Sequence, residues 1–304
     1  MNFVTKSLPT VGVLLLVSAA NGYAADMQVK AAPIVQPTPM LAWVSPILAA
    51  NNQISLDVIG QHIDYLERSA DGAPMDSERG WQPGLQLTGS VMRDLGPITN
   101  VYVMGQFTWA NDNTYYVGGT STNPTYGSLV NHSGAETRDF DFRLGKGFDV
   151  GQNWMFTPYF GIGYRAWDRN LTGATGYHER YEHSYAGGGL MIQWAVTQQW
   201  VISANGLIGS TFDPQMRVTP NGGFAAVPFT YDLGTKTFWR TGLSTDYALT
   251  PQWHLNAGFD YTNFRYGNSS NTSPDGMYEP DSRSGIWTVK AGIGYSFYQP
   301  SARY

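Results

Sequence analysis

Cysteine is absent from these 304 residues, which excludes disulfides, thiolate metal sites, a cysteine nucleophile and lipid attachment through an N-terminal cysteine. Charge is scarce as well. Asp, Glu, Lys and Arg make up 13% of the chain and the net charge is -5, so there is no basic footprint and no nucleic-acid partner is expected. Long apolar runs are missing too: the stretch at residues 11–20 falls short of the roughly 18 residues that a membrane helix requires, and no later stretch approaches that length. The 35 glycines, 19 tyrosines and 10 tryptophans stand out instead. Small residues suit a crowded interior and aromatic ones suit membrane interfaces, but a soluble all-β domain shares part of this composition, so the order of strands and loops must decide.

The N-terminus carries Lys6, the apolar stretch and then Gly22-Tyr23-Ala24, which places small residues where a signal peptidase reads. Residues 1–24 are therefore expected to be a removed secretory signal. Residues 25–52, with Pro33, Pro37 and Pro39, read as a periplasmic Pro-rich linker and lead-in segment. Within it, residues 40–52 fit a plug, a short helix or a lead-in equally well.

From residue 53 to residue 297 the pattern predicts an all-β fold, a transmembrane antiparallel up-and-down β-barrel of about ten strands, followed by a short periplasmic tail at 298–304. The strands fall at about 53–67, 82–93, 99–111, 137–149, 153–168, 183–196, 199–212, 235–249, 252–266 and 284–297, each near or above the roughly nine to eleven residues needed to cross the hydrocarbon at a tilt. Short connections at 94–97, 150–153, 197–199 and 250–252 alternate with long ones at 68–81, 112–136, 169–182, 213–234 and 267–283. Five long loops and four short turns put both ends on the short-turn side, which is periplasmic by the usual asymmetry. Three short turns deliver a tryptophan to the next strand, and Trp154, Trp200 and Trp253 are the expected periplasmic aromatic girdle.

The last strand is the clearest. Trp287, Val289, Ala291, Ile293, Tyr295 and Phe297 share one face, while Thr288, Lys290, Gly292, Gly294 and Ser296 share the other, which reads as a narrow, wet interior. The first strand is less regular, because Leu56 and Val58 lie in one phase and Ile59, Ile63 and Tyr65 in the other, so a bulge is expected near Gly60. Directing the polar phases inward collects Asp57, Asp139, Asp141, Arg143, Arg165, Arg169, Lys236, Arg240, Asp246, Asp260 and Lys290 in the lumen. Such mixed charges are expected to pair across the interior and lock neighbouring strands.

The pattern Lys290-x-Gly292-x-x-Tyr295-x-Phe297 resembles the C-terminal assembly signal of bacterial outer-membrane proteins, and residues 53–297 resemble the broad superfamily of small bacterial outer-membrane β-barrels. That resemblance implies the outer membrane of a Gram-negative bacterium after secretion to the periplasm. It also implies contact with outer-membrane lipids and with the assembly and periplasmic chaperone machinery. In size the chain is similar to the omptins, outer-membrane proteases that set an aspartate pair against an aspartate-histidine pair across the barrel mouth. Asp139 and Asp141 supply two carboxylates on one face near the outer end, but the histidine half is missing: the segment 213–234 has none, and Glu182 and His183 are adjacent and so face opposite ways. The segment from His254 to Gly258 faintly resembles that of lipid A deacylases, yet Asn256 stands where a serine would attack. A histidine held by a neighbouring Asp or Tyr is the expectation there. Gly161, Gly163 and Gly187–Gly189 lie inside strands with no helix to follow, so no phosphate loop is expected. Asp275, Glu279 and Asp281 read as solvated loop acids. No metal and no cofactor is expected.

The functional expectation is a non-enzymatic surface protein, structural or adhesin-like, that presents five long extracellular loops to an unknown extracellular ligand. A narrow ion or small-solute channel and a rim hydrolase are the alternatives. A ten-stranded barrel has a backbone radius of roughly 10 Å, which inward tyrosines, tryptophans and arginines should largely fill.

Overall fold

A computed structural model describes residues 45–120, 122–173, 176–220 and 227–298. The expected signal sequence, most of the expected linker and nearly all of the expected tail lie outside the described residues. The strands are β1 (Gln53–Arg68), β2 (Pro74–Leu95), β3 (Ile98–Gly118), β4 (Leu129–Lys146), β5 (Phe148–Val150), β6 (Trp154–Leu171), β7 (Tyr177–Ala195), β8 (Trp200–Pro220), β9 (Phe229–Asp232), β10 (Thr237–Ala248), β11 (Trp253–Tyr266) and β12 (Asp281–Ser296). Two of these are pieces of interrupted walls. β5 resumes on β6 the pairing that β4 leaves at Gly145, and β9 and β10 pair with the outer and inner parts of β8. Ten antiparallel walls result. β1 and β12 close the circle over the whole length from Gln53↔Ser296 to Arg68↔Asp281, so every wall is paired on both sides and no edge is left to aggregate or to strand backbone groups in lipid.

The period-two alternation decides which side faces which way. On β6 the residues Trp154, Pro158, Phe160 and Ile162 are exposed, while Met155, Thr157, Tyr159 and Arg165 are buried inside. On β12 Trp287, Val289, Ile293 and Tyr295 point out, and Ser296 is buried. Two outward aromatic rows bound the apolar band. Trp253 packs on Tyr295 at 5.2 Å in the lower row, and Tyr261 packs on Trp287 at 4.1 Å in the upper one. Eight residues separate the rows, about 26 Å along a strand, or about 20 Å along the axis at a tilt near 40°. That height matches a hydrocarbon band.

The outer ends differ from expectation. β2 begins at Pro74 rather than residue 82, so the connection expected at 68–81 contracts to a hairpin at 69–73, where Gly72 takes a positive φ of 85° and the Ser69 amide donates to the Ala73 carbonyl at 2.9 Å. The third outer connection likewise spans only residues 172–176. Two of the five expected long loops are therefore short, because polar alternation carries the strands onward past the lipid. The bulge expected near Gly60 is also absent. β1 keeps one register through that point, and Ile59, Ile63 and Tyr65 simply point inward, into apolar packing.

The lead-in segment forms a plug. Helix α1 (Pro46–Ala50) starts with Ser45 as cap and proline in its first turn, where the missing N–H costs nothing. It buries Ile47, Ala49 and Ala50 in the mouth on the short-turn side. Asn52, fully buried, then clamps it: its amide donates to the carbonyls of Leu48 (2.8 Å) and Met92 (2.9 Å) and its oxygen accepts from the Met92 amide at 3.1 Å. Asn51 and Gln193 exchange two further hydrogen bonds, at 2.6 and 3.1 Å.

Candidate functional site

Read from the plugged mouth toward the opposite end, the lumen is a stack of layers. Just above the plug, Nδ1 of His254 meets Asp246 at 2.6 Å, and Asp246 also accepts from Gln53 at 3.0 Å. A polar cavity of about 180 Å³ follows, lined by Asp57, Gln61, Gln86, Asn205, Asp260 and Lys290 among others. Here Lys290 pairs with Asp260 at 2.7 Å. Asp57 faces the same cavity, and one of its oxygens has no protein donor.

The third layer holds the central charges. Arg240 reaches Asp141 at 2.8 Å, Asp139 at 3.1 Å and the Thr262 hydroxyl at 2.9 Å. Arg143 meets Asp141 at 2.8 Å with its guanidinium 5.0 Å from the ring centre of Tyr159, and Arg165 meets Asp139 at 3.6 Å. Tyr185 donates to Asp141 at 2.9 Å and stacks on Phe238 at 4.2 Å. Two glycines make room for these rings. A Cβ on Gly163 would lie 2.2 Å from Tyr185, and one on Gly189 would lie 2.3 Å from Tyr159. Asp139 and Asp141 thus sit deep in the barrel, not near its outer end as the strand position implied, because β4 extends ten residues beyond Asp139 toward the outside.

Above that layer the interior is a packed core, not the wet lumen expected from the small residues of the last strand. Tyr65, Trp167, Tyr181, Phe264 and Tyr266 are buried against one another, and Nδ1 of His183 is hydrogen-bonded to the Tyr266 hydroxyl at 2.6 Å. The outermost layer surrounds Arg169, 1% exposed, which contacts Glu78 at 2.7 Å, Glu179 at 2.8 Å, Asp76 at 3.2 Å and Glu67 at 3.8 Å. Tyr181 joins this layer to Glu279 at 2.7 Å.

The eleven residues expected in the lumen therefore separate: Asp139, Asp141, Arg143, Arg165 and Arg240 together, Asp260 with Lys290, Asp246 with His254, Asp57 on the cavity without an ion pair, Arg169 in the outermost layer and Lys236 outside. Lys236, expected inside, is exposed on the outer wall before β10. The acids around Arg169 were missed, although alternation of Asp76, Glu78, Gln82 and Gln86 on one phase of β2 signals them. Glu279, read as a solvated loop acid, is buried, and burial raises its pKa well above the ordinary carboxylate range, with Glu67 and Glu179 adding to the effect. Asp275 and Asp281 are exposed, and among the described residues no three Asp, Glu or His side chains group in a way that would hold a metal. Trp154, Trp200 and Trp253 are all exposed beside short turns. Of the expected assembly signal, Tyr295 and Phe297 face outward whereas Lys290 and Gly292 belong to the inner phase.

No family model and no curated protein matches the chain. Solved structures do. The outer membrane protease OmpT from Escherichia coli is 13% identical over 81% of this chain and 95% of its own, with a TM-score of 0.50. The P. putida toluene transporter TodX is 12% identical over 84% of this chain and 93% of its own (TM-score 0.33), and the attachment invasion locus protein Ail of Yersinia pestis is 11% identical over 80% and 99% (TM-score 0.32). At these identities the likeness concerns the fold. A closed circle of ten strands, apolar outside between two aromatic rows and folded like a solved outer-membrane protein over most of its length, makes this chain a small outer-membrane-type β-barrel.

Proposed function

We propose that the protein is a non-enzymatic barrel of a Gram-negative outer membrane whose extracellular end acts in a structural or adhesin-like role toward an external ligand. On this reading it reaches the membrane through periplasmic chaperones and the barrel assembly machinery, and its N-terminal segment is removed on export. One observation carries the reading: the lumen is closed on both sides of its polar cavity. Asp139 and Asp141 are engaged by three arginines and a tyrosine, so neither is free to act as a base, and the plug below and the packed aromatic layer above leave no bore for a solute. The walls run past the lipid to an outer rim that is the part left to meet other molecules.

The test combines three measurements on the full chain. Planar-bilayer recordings should show no unitary conductance, and the purified protein should cleave neither peptides nor lipids. Cells displaying it should attach to a surface in a way that is lost when residues 119–128 and 267–280 are replaced by short Gly-Ser linkers. Steady single-channel currents, or a turnover that vanishes in Asp139→Asn at unchanged stability, would overturn the proposal.

A further inference from the structure

The outer wall carries a feature that neither a structural nor an adhesive role explains. Arg265 on β11 and Arg283 on β12 are directly paired across the two strands, both on the outward phase and both exposed. Like charges opposed on neighbouring strands destabilise a sheet. Elsewhere the barrel relieves this: Arg180 opposes Arg217 across β7 and β8, but Arg180 is held by Glu182 at 3.0 Å. For Arg265 and Arg283, among the described residues, no carboxylate lies within ion-pairing distance. Instead both line a cleft of about 390 Å³ with Arg68, Lys236 and Leu66, facing a single acid, Asp281. Four cations against one carboxylate is a concentrated positive site on a chain whose net charge is -5.

The position of the cleft identifies its occupant. Arg265 and Arg283 lie four residues above Tyr261 and Trp287 on the same outward face, about 13 Å along the strand and about 10 Å along the axis, just beyond the upper aromatic row. A group docked there has its lower end beside the hydrocarbon and its upper end among guanidinium groups, which bind phosphate through paired N–H donors. We infer that this cleft binds the phosphate-bearing headgroup of an outer-leaflet lipid, with Arg265 and Arg283 bridging one phosphate and Arg68 and Lys236 flanking it. The anion removes the repulsion that the bare pair suffers, so the lipid stabilises the barrel as it binds. The inference rests on the membrane orientation and not on the adhesive role.

The experiment uses the full chain refolded in a neutral detergent, titrated with a diphosphorylated glycolipid, the same glycolipid without phosphate, inorganic phosphate, and a soluble sulfated polysaccharide, with the thermal midpoint as readout. The expected result is a midpoint rise with the diphosphorylated glycolipid only, at an affinity reduced at least tenfold in R265Q/R283Q. R79Q/R217Q, which removes the same charge elsewhere on the wall, should bind as the wild type does. Without lipid, R265Q/R283Q should unfold at or above the wild-type midpoint, since repulsion has been removed and the fold is intact. Equal affinity in R265Q/R283Q and wild type overturns the inference. An equal effect from inorganic phosphate, or tighter binding of the sulfated polysaccharide, overturns the assignment to a lipid.

Discussion

Three arginines and two aspartates make the central layer one positive charge in excess, so its members should not be equally costly to remove. Asp141→Asn leaves Arg143 with no carboxylate, only the face of Tyr159 and a neutral amide. Breaking a buried pair so that one charge is stranded typically costs roughly 3–5 kcal/mol, and the Tyr159 contact places this case near 3. Arg143→Gln is different, because Asp141 keeps Arg240 at 2.8 Å and the Tyr185 hydroxyl at 2.9 Å. About 1 kcal/mol is expected for it. The double variant Asp141→Asn with Arg143→Gln should then cost about 2 kcal/mol, less than the aspartate change alone, since the stranded cation is gone. Urea unfolding in micelles, followed by tryptophan fluorescence and by heat-modifiable gel mobility, reads these values. With a slope near 3 kcal/mol/M, Asp141→Asn lowers the midpoint by about 1 M and Arg143→Gln restores about a third of that. A double variant as unstable as the two singles added would refute the argument, and so would an Asp141→Asn barrel as stable as the wild type. By contrast Arg165 pairs with Asp139, not with Asp141, so Arg165→Gln should offer no such rescue.

Glu279→Gln should raise stability at neutral pH and flatten its pH dependence. The folded carboxyl titrates above its unfolded value, so the native state is favoured below the ordinary carboxylate range and that advantage is lost as pH rises through the raised value. Melting curves of both proteins from pH 4 to pH 8 check this, and parallel curves would count against it. Gly292→Ala should reduce assembled barrel at the cell surface, because its Cβ would fall 2.1 Å from the Leu56 carbonyl oxygen and 2.5 Å from the Asp57 Cα, within the closing pair of walls. Surface labelling at wild-type levels would show that the seam tolerates the shift. Asn52→Ala should cost about 3 kcal/mol by leaving backbone groups of Met92 unpaired, measured by urea titration, with no ion current appearing because the upper layers still block the lumen.

Much of this fold was legible in the sequence for a simple reason: a wall with lipid on one side and a crowded interior on the other has a side-chain period of two. β6, β11 and β12 show it without interruption. What failed was the assumption that inward means polar. Ile59, Ile63 and Tyr65 obey the period yet are apolar, and so imitate a slip in register. The same assumption hid the start of β2, because Asp76 and Glu78 look like loop residues until Arg169, more than 90 residues away, is known to lie between them. Which charges meet depends on strand stagger around the circle, and a linear sequence does not display stagger. The outward basic cleft was invisible for that reason too. Its four cations come from four stretches of chain and share nothing but a height on the wall.

The plug has a consequence for how the barrel comes apart. Helix α1 and the two asparagines after it hold β2 through Met92 and β7 through Gln193, and Ser296 of β12 donates to the Ala49 carbonyl at 3.0 Å. These three walls stand around the mouth together only when the circle is complete. The energy of docking the helix is therefore withheld from every partly closed sheet and released to the finished one, so the helix works as a latch on the β1–β12 seam. Opening the seam requires losing the latch in the same event. A short amphipathic turn thereby converts a row of local strand pairings into a single cooperative transition.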